Sequence, residues 1–224
     1  MAATLPDVTQ LAETLGFAPD AYRNFFSSRL YQGVLNQRDL FVAGPFIGAP
    51  HAAILLENLA VRGVSSVIFT GWCGSLVEPL AIGDILLASG AFSDEGTSRH
   101  YGVPDANVPI ETSLELNAMA SDAMNHLGLE VKKAPVWTTD ALYRETPSKI
   151  KHFRDKGAWA VEMELSALLS VAGFRGLRLG SLLLVSDDVS GGVWNPGFKN
   201  PRFKKGRKTL CDIVKTLTER ICHG

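Results

Sequence analysis

The sequence has few cysteines, no long apolar run and almost no net charge. Its three cysteines, Cys73, Cys211 and Cys222, have neither the spacing of a CxxC metal or redox motif nor that of a disulfide framework. No apolar run reaches the roughly 18 residues that a membrane span requires, and no basic-then-apolar leader opens the chain. We therefore expect a soluble, cytoplasmic protein with no membrane partner.

The net charge of the 224-residue chain is −1, from 22 basic and 23 acidic residues. A balance so close to zero excludes a dedicated nucleic-acid-binding protein. The charge is nevertheless uneven, because residues 199–224 carry eight basic and two acidic side chains, a balance of +6. This basic segment is explained either as the solvated face of a helix or as an electrostatic patch for an anionic ligand.

Short apolar runs alternate with longer segments of helical periodicity, and this alternation predicts an α/β fold. Some runs are apolar at consecutive positions, such as 67–69 and 182–185, which is typical of strands covered on both faces in a largely parallel sheet. The predicted strands are 40–43, 66–70, 85–89, 131–137, 158–161 and 179–186. The predicted helices are 50–62, 113–127, 147–156, 162–172 and 205–222. We expect one domain over residues 1–224, with residues 1–35 as a helical N-terminal extension.

Four segments that follow predicted strands carry polar or glycine residues, at the position where ligands gather in open α/β sheets. Residues 44–50 (GPFIGAP) and 69–75 (FTGWCGS) offer glycines and free backbone N–H groups. Residues 93–101 (SDEGTSRHY) form either a binding wall or a surface loop. The fourth pairs residues 162–164 (EME) with residues 186–188 (SDD), whose carboxylates can bind sugar hydroxyls and stabilise the positive charge of a loosening glycosidic bond.

Two of these segments admit alternative interpretations. Cys73 is either the nucleophile of a cysteine hydrolase, with His51 or His100 as its base, or a buried structural cysteine. The order CGxCW of papain-type enzymes is missing, and nothing in the sequence orients either histidine, which favours the structural role. Likewise, Glu162 and Glu164 have a simpler explanation as acidic residues at a helix start.

The order of seven motifs resembles the nucleoside phosphorylase and nucleosidase superfamily, the group of uridine phosphorylase, hexameric-type purine nucleoside phosphorylases and methylthioadenosine nucleosidase. The motifs are GPFIGAPHA, TGWCGSL, GDILLAS, DEGTSRHY, TTDALYRET, AVEMELSALL and LLLVSDD, and they cover about residues 40 to 190. The resemblance implies a three-layer α/β/α phosphorylase/hydrolase-like fold around a mixed, largely parallel central sheet. It also implies a homo-oligomer (dimer, trimer or hexamer) that needs no metal or other cofactor.

The resemblance further implies roles for individual residues. Asp187 corresponds to the catalytic acid that protonates the leaving base, and this aspartate is typical of purine-acting members. The motifs DEGTSRHY and TTDALYRET are closer to uridine phosphorylase, so purine and pyrimidine bases both remain open. The other implied site residues are Glu162, Met163 and Glu164 for ribose, Gly71, Gly74 and Ser75 for phosphate or as loop backbone, and Tyr143 and Arg144 for the base.

Two positions depart from the family pattern, because Phe69 stands where phosphorylases carry a phosphate-binding arginine and Trp72 where they carry serine or threonine. The candidates to replace that arginine are Arg29, Arg38, Arg99 and Arg144.

We predict cleavage of the N-glycosidic bond of a nucleoside by phosphorolysis to free base and (deoxy)ribose 1-phosphate, with inorganic phosphate as co-substrate. The alternatives are a nucleosidase that uses water, whose activating glutamate has no clear counterpart in the N-terminal region, and a catalytically inactive nucleoside-binding protein.

Overall fold

The computed structural model describes residues 1–103 and 107–223. The strands are β1 (Tyr22–Phe25), β2 (Ser28–Leu35), β3 (Arg38–Gly44), β4 (Ser66–Ser75), β5 (Ile85–Asp94), β6 (Ile110–Glu111), β7 (Lys132–Thr139), β8 (Ala160–Glu162), β9 (Arg178–Asp188) and β10 (Asn195–Pro196). The helices are α1 (Leu5–Thr14), α2 (Ala49–Ala60), α3 (Leu114–His126), α4 (Pro147–Asp155), α5 (Leu165–Arg175) and α6 (Pro201–His223). Short 3₁₀ turns cover Ser98–Tyr101 and Leu142–Arg144.

The central sheet is mixed, and its longest pairings are parallel. The strand order is β10-β9-β4-β8-β7-β5-β6. Strand β4 runs parallel to β9, and β5 runs parallel to β7, whereas β8 lies antiparallel to β4. Strand β9 also pairs antiparallel with β5, so that the sheet closes on itself through β9. The predicted α/β class with a mixed central sheet is confirmed.

Both faces of β9 are buried, which explains why its residues are apolar at consecutive positions. Leu183 belongs to a hydrophobic core that includes residues of α2 and α5. Leu182 and Leu184 belong to a second core, on the other face, that includes residues of α1, α3 and α6. The sheet is therefore the middle layer between two helical layers, as the predicted three-layer architecture requires.

The prediction of a helical extension over residues 1–35 is wrong beyond α1. Strands β1 and β2 instead form a separate three-stranded antiparallel sheet with β3. Asn36 and Gln37 both have positive φ, 50° and 64°, the backbone geometry of a tight type I′ hairpin turn. Because that turn is usually recognised from Asn-Gly or Asp-Gly, the pair Asn36-Gln37 gave no hairpin signal in the sequence.

The basic C-terminal segment forms the amphipathic helix α6. Its inner face buries apolar side chains such as Leu210, while two of its arginines form ion pairs with the body of the protein. Arg202 contacts Asp84 at 2.8 Å, and Arg207 contacts Asp7 at 2.6 Å. Among the described helices, none is both long and apolar enough to cross a membrane.

Burial of β9 on both faces predicts the effect of truncating neighbouring leucines. Leu183→Ala and Leu184→Ala should each lower the free energy of unfolding by about 2–5 kcal/mol, because each leaves a cavity in a different core. Leu114→Ala removes the same atoms from a side chain that is 74% exposed, and should change stability by about 0.5 kcal/mol or less. Denaturant unfolding of the three variants measures these differences. If only one of the two β9 variants is destabilised, one face of the strand is not covered as described.

Candidate active site

A cavity of about 540 Å³ opens where the end of β4 meets β8 and the end of β9. The loop before α2, the 3₁₀ turn at Leu142–Arg144 and residues 3–5 also contribute to its wall. The polar and titratable side chains that line it are Thr4, Ser27, His51, Cys73, Glu145, Glu162, Glu164, Ser186 and Asp187. Of the described residues, no lysine or arginine lines this cavity. Its wall is therefore acidic.

Asp187 reaches the cavity because of an irregularity in the pairing of β4 with β9. Cys73 faces Val185, but Gly74 faces Asp187, so one additional residue of β9 lies between the two pairs. A Cβ atom on Gly74 would lie 3.1 Å from Asp187 Oδ2, which is tighter than nine in ten Cβ contacts. The glycine therefore leaves the space that the carboxylate occupies.

Two side chains donate hydrogen bonds to the Asp187 carboxylate. Ser186 Oγ donates to Oδ1 at 2.6 Å, and the indole Nε1 of Trp194 donates to Oδ2 at 3.0 Å. Trp194 belongs to the segment between β9 and α6, of which β10 pairs back onto Asp187 and Asp188. These two hydrogen bonds fix the position of the carboxylate at the cavity wall.

Glu162 holds the start of α5 in place beside the cavity. Its Oε2 accepts hydrogen bonds from the backbone N–H groups of Glu164 and Leu165, both at 2.8 Å, and its Oε1 accepts from the Thr138 hydroxyl. Burial raises the pKa of Glu162 above its ordinary value, although these hydrogen bonds oppose the effect. Because both carboxylate oxygens are already bonded to the protein, Glu162 positions the segment that carries Met163 and Glu164.

Glu164 lies at the cavity wall, and its carboxylate is bonded to the loop before α2. Its Oε1 accepts a hydrogen bond from the backbone N–H of Gly48 at 2.6 Å, which connects the loop before α2 to the start of α5. Burial, together with the negative charge of Glu162, raises the pKa of Glu164 to about 8. Backbone hydrogen bonds from Gly48 and Met163 oppose this effect.

A third buried glutamate, Glu95, lies behind this wall in a network of hydroxyl groups. Burial raises its pKa, but hydrogen bonds from Ser98, Ser93, Thr97 and Ser166 outweigh that effect and lower the pKa below its ordinary value. The Ser166 hydroxyl bonds Glu95 at 3.0 Å, and the Ser166 backbone N–H bonds Thr138 at 3.0 Å. The network therefore links Glu95 to Glu162 through Thr138.

The structure brings together some of the predicted site residues but not all of them. Met163, Glu164, Glu162, Gly74 and Asp187 all line the cavity. The four predicted residues that do not line it are Gly71, Ser75, Tyr143 and Arg144. A Cβ on Gly71 would meet the Phe69 ring at 2.9 Å, Ser75 is fully buried and donates to Val77 O at 2.9 Å, and Tyr143 is 96% exposed.

The residues at the expected phosphate positions are aromatic and packed. Phe69 is fully buried, with its ring centroid 5.8 Å from that of Phe46. Trp72 lines the cavity and packs its ring against Phe198 and Phe203, at centroid distances of 6.0 and 5.1 Å. None of the four candidate arginines, Arg29, Arg38, Arg99 and Arg144, lines the cavity.

Cys73 lines the cavity as a buried thiol. Burial, followed by the negative charges of Asp187 and Glu162, raises its pKa well above the ordinary value, whereas a nucleophilic cysteine requires a lowered pKa. His51 does line the cavity, but its Nε2 lies 3.1 Å from Ser28 Oγ, and Ser28 in turn donates to Pro45 O at 2.6 Å. These contacts favour the structural interpretation of Cys73.

Sequence reasoning missed one titratable residue of the site, Glu145. It follows the 3₁₀ turn at Leu142–Arg144 and precedes Thr146, whose hydroxyl accepts from Lys149 N and caps α4. Burial and the nearby charge of Asp187 raise the pKa of Glu145 to about 7. The cap sequence Thr146-Pro147 marked the start of the helix, but nothing in the sequence indicated that the residue before the cap lines the same cavity as Asp187.

Comparison with known proteins decides the family. The family model described as the phosphorylase superfamily matches residues 1–219. The chain belongs to the phosphorylase superfamily. A guanosine phosphorylase of Halorubrum lacusprofundi is 33% identical over 156 residues, which cover 69% of this chain and 63% of the relative. The match thus spans slightly less than two thirds of that relative's length.

Two further superfamily proteins extend the comparison. A DeoD-type purine nucleoside phosphorylase of Bacillus cereus is 30% identical over 180 residues, which cover 80% of this chain and 76% of the relative. The solved structure of a purine nucleoside phosphorylase from Toxoplasma gondii in complex with immucillin-H superposes with a TM-score of 0.86 at 20% identity, covering 99% of this chain and 90% of that one. At that identity the structural match establishes the fold.

The opposite environments of two buried glutamates predict opposite effects of pH on stability. The pKa of Glu164 is raised by folding, so its contribution to stability falls as pH rises from the ordinary glutamate pKa to about 8. The pKa of Glu95 is lowered, so its contribution is present above the ordinary pKa and is lost as pH falls. Their exposures, 6% and 5%, are matched.

We therefore expect Glu164→Gln to be more stable than the unchanged protein at about pH 9 and to lose that advantage at about pH 5. Glu95→Gln should be less stable at about pH 9, because a neutral amide cannot accept the same hydrogen bonds. Denaturant unfolding at both pH values measures the two differences. Equal effects of the two substitutions at high pH would contradict the assigned charge environments.

Proposed function

We propose that this protein cleaves the N-glycosidic bond of a nucleoside. The observation that carries the proposal is the arrangement of one cavity in which Met163 and Glu164 lie between the end of β8 and the start of α5, while Asp187 lies at the end of β9. A cavity of about 540 Å³ is in the size range of small-molecule sites. It offers a carboxylate for sugar hydroxyls and separate carboxyl groups for a base.

Glu164 is proposed to bind the ribose. Its carboxylate lines the cavity and can accept hydrogen bonds from sugar hydroxyl groups, and Met163 supplies an apolar surface to the ring. A hydroxyl donor stabilises the ionised form of Glu164, whose charge then favours the oxocarbenium-like state formed as the C1′–N bond loosens. Glu162 keeps this segment in place through its bonds to the backbone of α5.

The base is proposed to lie between Asp187 and the 3₁₀ turn at Leu142–Arg144. Asp187 and Leu142 both line the cavity there. When the glycosidic bond breaks, its electron pair passes to the base, and a proton from a carboxyl group at this end neutralises the charge. Tyr143 and Arg144 are proposed to border the mouth of this region, since they adjoin Leu142 in the chain.

Phosphate is the first candidate for the nucleophile. The support comes from the curated relatives, which are named guanosine phosphorylase and purine nucleoside phosphorylase. Inorganic phosphate would attack C1′ and yield free base and (deoxy)ribose 1-phosphate, with no cofactor. The glycines of β4, Gly71 and Gly74, and Ser75 are the residues that we proposed for phosphate or its loop, and only Gly74 lines the cavity.

Water is the second candidate, and the acidic wall of the cavity favours it. Phosphate is an anion and gains most from charged hydrogen-bond donors, yet no lysine or arginine of the described residues lines the cavity. Phe69 and Trp72 fill the expected phosphate positions with aromatic rings. A neutral water molecule does not require those cations.

We also propose a cytoplasmic homo-oligomer. The three cysteines Cys73, Cys211 and Cys222 are free thiols, which supports a reducing compartment. Phe26 and Ile47 are 77% and 75% exposed and lie in or next to segments that line the cavity, so apolar surface is available to a second copy near its mouth.

The proposed role of Glu164 in binding ribose gives the first prediction on activity. The purified protein should release free base from at least one of inosine, guanosine, adenosine and uridine. Glu164→Gln should lower kcat/KM about 10- to 100-fold, since a hydrogen bond to a charged group contributes about 1.5–3 kcal/mol. Glu13→Gln, at an exposed position of α1, should have no effect. Saturable nucleoside binding without base release would identify an inactive nucleoside-binding protein instead.

The identity of the nucleophile determines which sugar product forms, and this gives a second prediction. With phosphate as nucleophile, ribose 1-phosphate should form only when inorganic phosphate is added. With water as nucleophile, free ribose should form at the same rate with and without phosphate. Chromatography of the sugar products, with base release followed in parallel, distinguishes the two candidates and rejects one of them.

A further inference from the structure

A second cavity, of about 380 Å³, lies at the opposite end of the central sheet from the candidate active site. It opens beside Ser66 and Arg178, the first residues of the parallel strands β4 and β9, whereas the active-site cavity lies at the last residues of the same strands. Its wall also includes residues of α1, α2, α6 and β3. None of the described residues lines both cavities, so the two are separate.

Part of the wall of this second cavity is buried and apolar. Leu59 and Val67 belong to the hydrophobic core that includes residues of α2 and α5. Leu11 and Val214 belong to the core on the other face of the sheet, so the cavity is bordered by both cores. An apolar ligand group that displaces water from such a wall gains affinity, about fourfold for each CH₂ group that it buries.

Three arginines line the same cavity, and two of them have no acidic partner. Arg178 donates to Glu115 Oε1 at 2.6 Å. Arg38 and Arg62 are exposed, and neither guanidinium forms an ion pair or a hydrogen bond with any residue that the structure describes. The carboxylate of Asp39 also lines the cavity, but the three arginines outnumber it. Guanidinium groups bind carboxylate and phosphate groups through paired hydrogen bonds.

The two cavities therefore differ in charge. The active-site cavity has an acidic wall, to which the described residues contribute neither lysine nor arginine, whereas the second cavity has two arginines that are free to bind an anion. An anionic group is repelled by the first wall and attracted by the second. A volume of about 380 Å³ is in the range of small-molecule sites.

We propose that the second cavity binds a small amphipathic anion, with an acyl or aryl body and a carboxylate or phosphate head. The body would pack against buried side chains such as Leu59 and Val214, and the head would bind Arg38 and Arg62. The proposal is independent of the proposed glycosidic cleavage, because it uses no residue of the active-site cavity.

Binding of simple probes to the full-length protein tests both parts of such a ligand. Titration calorimetry with hexanoate, octanoate, octyl phosphate and 1-octanol should show that octanoate binds about 10-fold tighter than hexanoate, because it buries two more CH₂ groups. Octanoate should also bind tighter than uncharged 1-octanol. The ratio of the affinities for octanoate and octyl phosphate shows whether the site prefers a carboxylate or a phosphate head.

Substitution of the two arginines tests the position of the head. Arg38→Gln and Arg62→Gln should each weaken octanoate binding about 3- to 10-fold, since each removes one charged donor at an exposed position, and should leave 1-octanol binding unchanged. Arg154→Gln is the matched control, because it removes the same charge from an exposed position of α4 that lines neither cavity. Thermal melting of each variant shows whether it is folded.

Cys222 reports whether the probe occupies this cavity. Its thiol is partly buried at the cavity wall, whereas Cys73 and Cys211 are buried. Octanoate should slow the alkylation of Cys222 by iodoacetamide, as measured by mass spectrometry of the C-terminal peptide. Half-maximal protection should require about 3- to 10-fold more octanoate in Arg62→Gln, in step with the weaker binding. Glu164→Gln, which changes the other cavity, should alter neither binding nor protection.

Four results would overturn the proposal. They are no saturable binding of either octanoate or octyl phosphate, equal affinities for octanoate and 1-octanol, octanoate binding that is as tight in both arginine variants as in Arg154→Gln, and binding that leaves Cys222 unprotected. Octanoate binding that weakens only in Glu164→Gln would place the anion in the active-site cavity and would likewise reject the second site. Failure of the protein to cleave any nucleoside would reject the proposed function and leave this proposal intact.

Discussion

The site depends on how β4 pairs with β9. The two strands run parallel in regular register as far as Cys73 and Val185, and then Gly74 faces Asp187. The additional residue, Ser186, places its hydroxyl against Asp187, and Gly74 leaves the space for the carboxylate. Irregularities of this kind at strand ends re-aim single side chains. Without this one, the last residues of β9 would present a different side chain to the cavity.

In the cavity wall and directly behind it, burial and hydrogen-bond donors act in opposite directions on the pKa values of glutamates. Burial acts on Glu95, Glu145, Glu162 and Glu164 alike and favours the neutral form of each. Only Glu95 has enough donors to reverse the effect. Cleavage of a glycosidic bond needs a charged carboxylate near the sugar and a protonated carboxyl near the leaving group. A site with several desolvated carboxyl groups and unequal donors meets both needs without a metal.

The fold was predictable where burial leaves a clear pattern in the chain. Consecutive apolar residues such as 182–185 indicated a strand covered on both faces, and the two cores on either side of β9 confirm it. Residues 22–35 were mispredicted because their turn at Asn36-Gln37 uses positive φ without a glycine. Short hairpins of this kind depend on the backbone geometry of the turn, which cannot be predicted when the turn residues are not the usual Asn-Gly or Asp-Gly.

Sequence motifs predicted only part of the residues that line the cavity. Met163, Glu164 and Asp187 were found because the motifs carrying them resemble a known family, and one cavity contains all three. Tyr143 and Arg144 were inferred from the same resemblance, but the 3₁₀ turn that holds them directs Leu142 and Glu145 to the cavity instead. The direction of a side chain in a short turn depends on tertiary contacts, so the sequence could not distinguish these neighbours.

The lack of basic residues at the described cavity wall affects which nucleophile, phosphate or water, the site can bind. Arg207 lies 6.0 Å from the Trp72 ring, but its side chain is paired with Asp7 at 2.6 Å and does not line the cavity. A phosphate ion in this cavity would therefore need cations from beyond the described residues that line it. Water has no such requirement. Phosphorolysis by this site therefore requires positive charge that the described cavity wall does not supply, whereas hydrolysis is compatible with the wall as it stands.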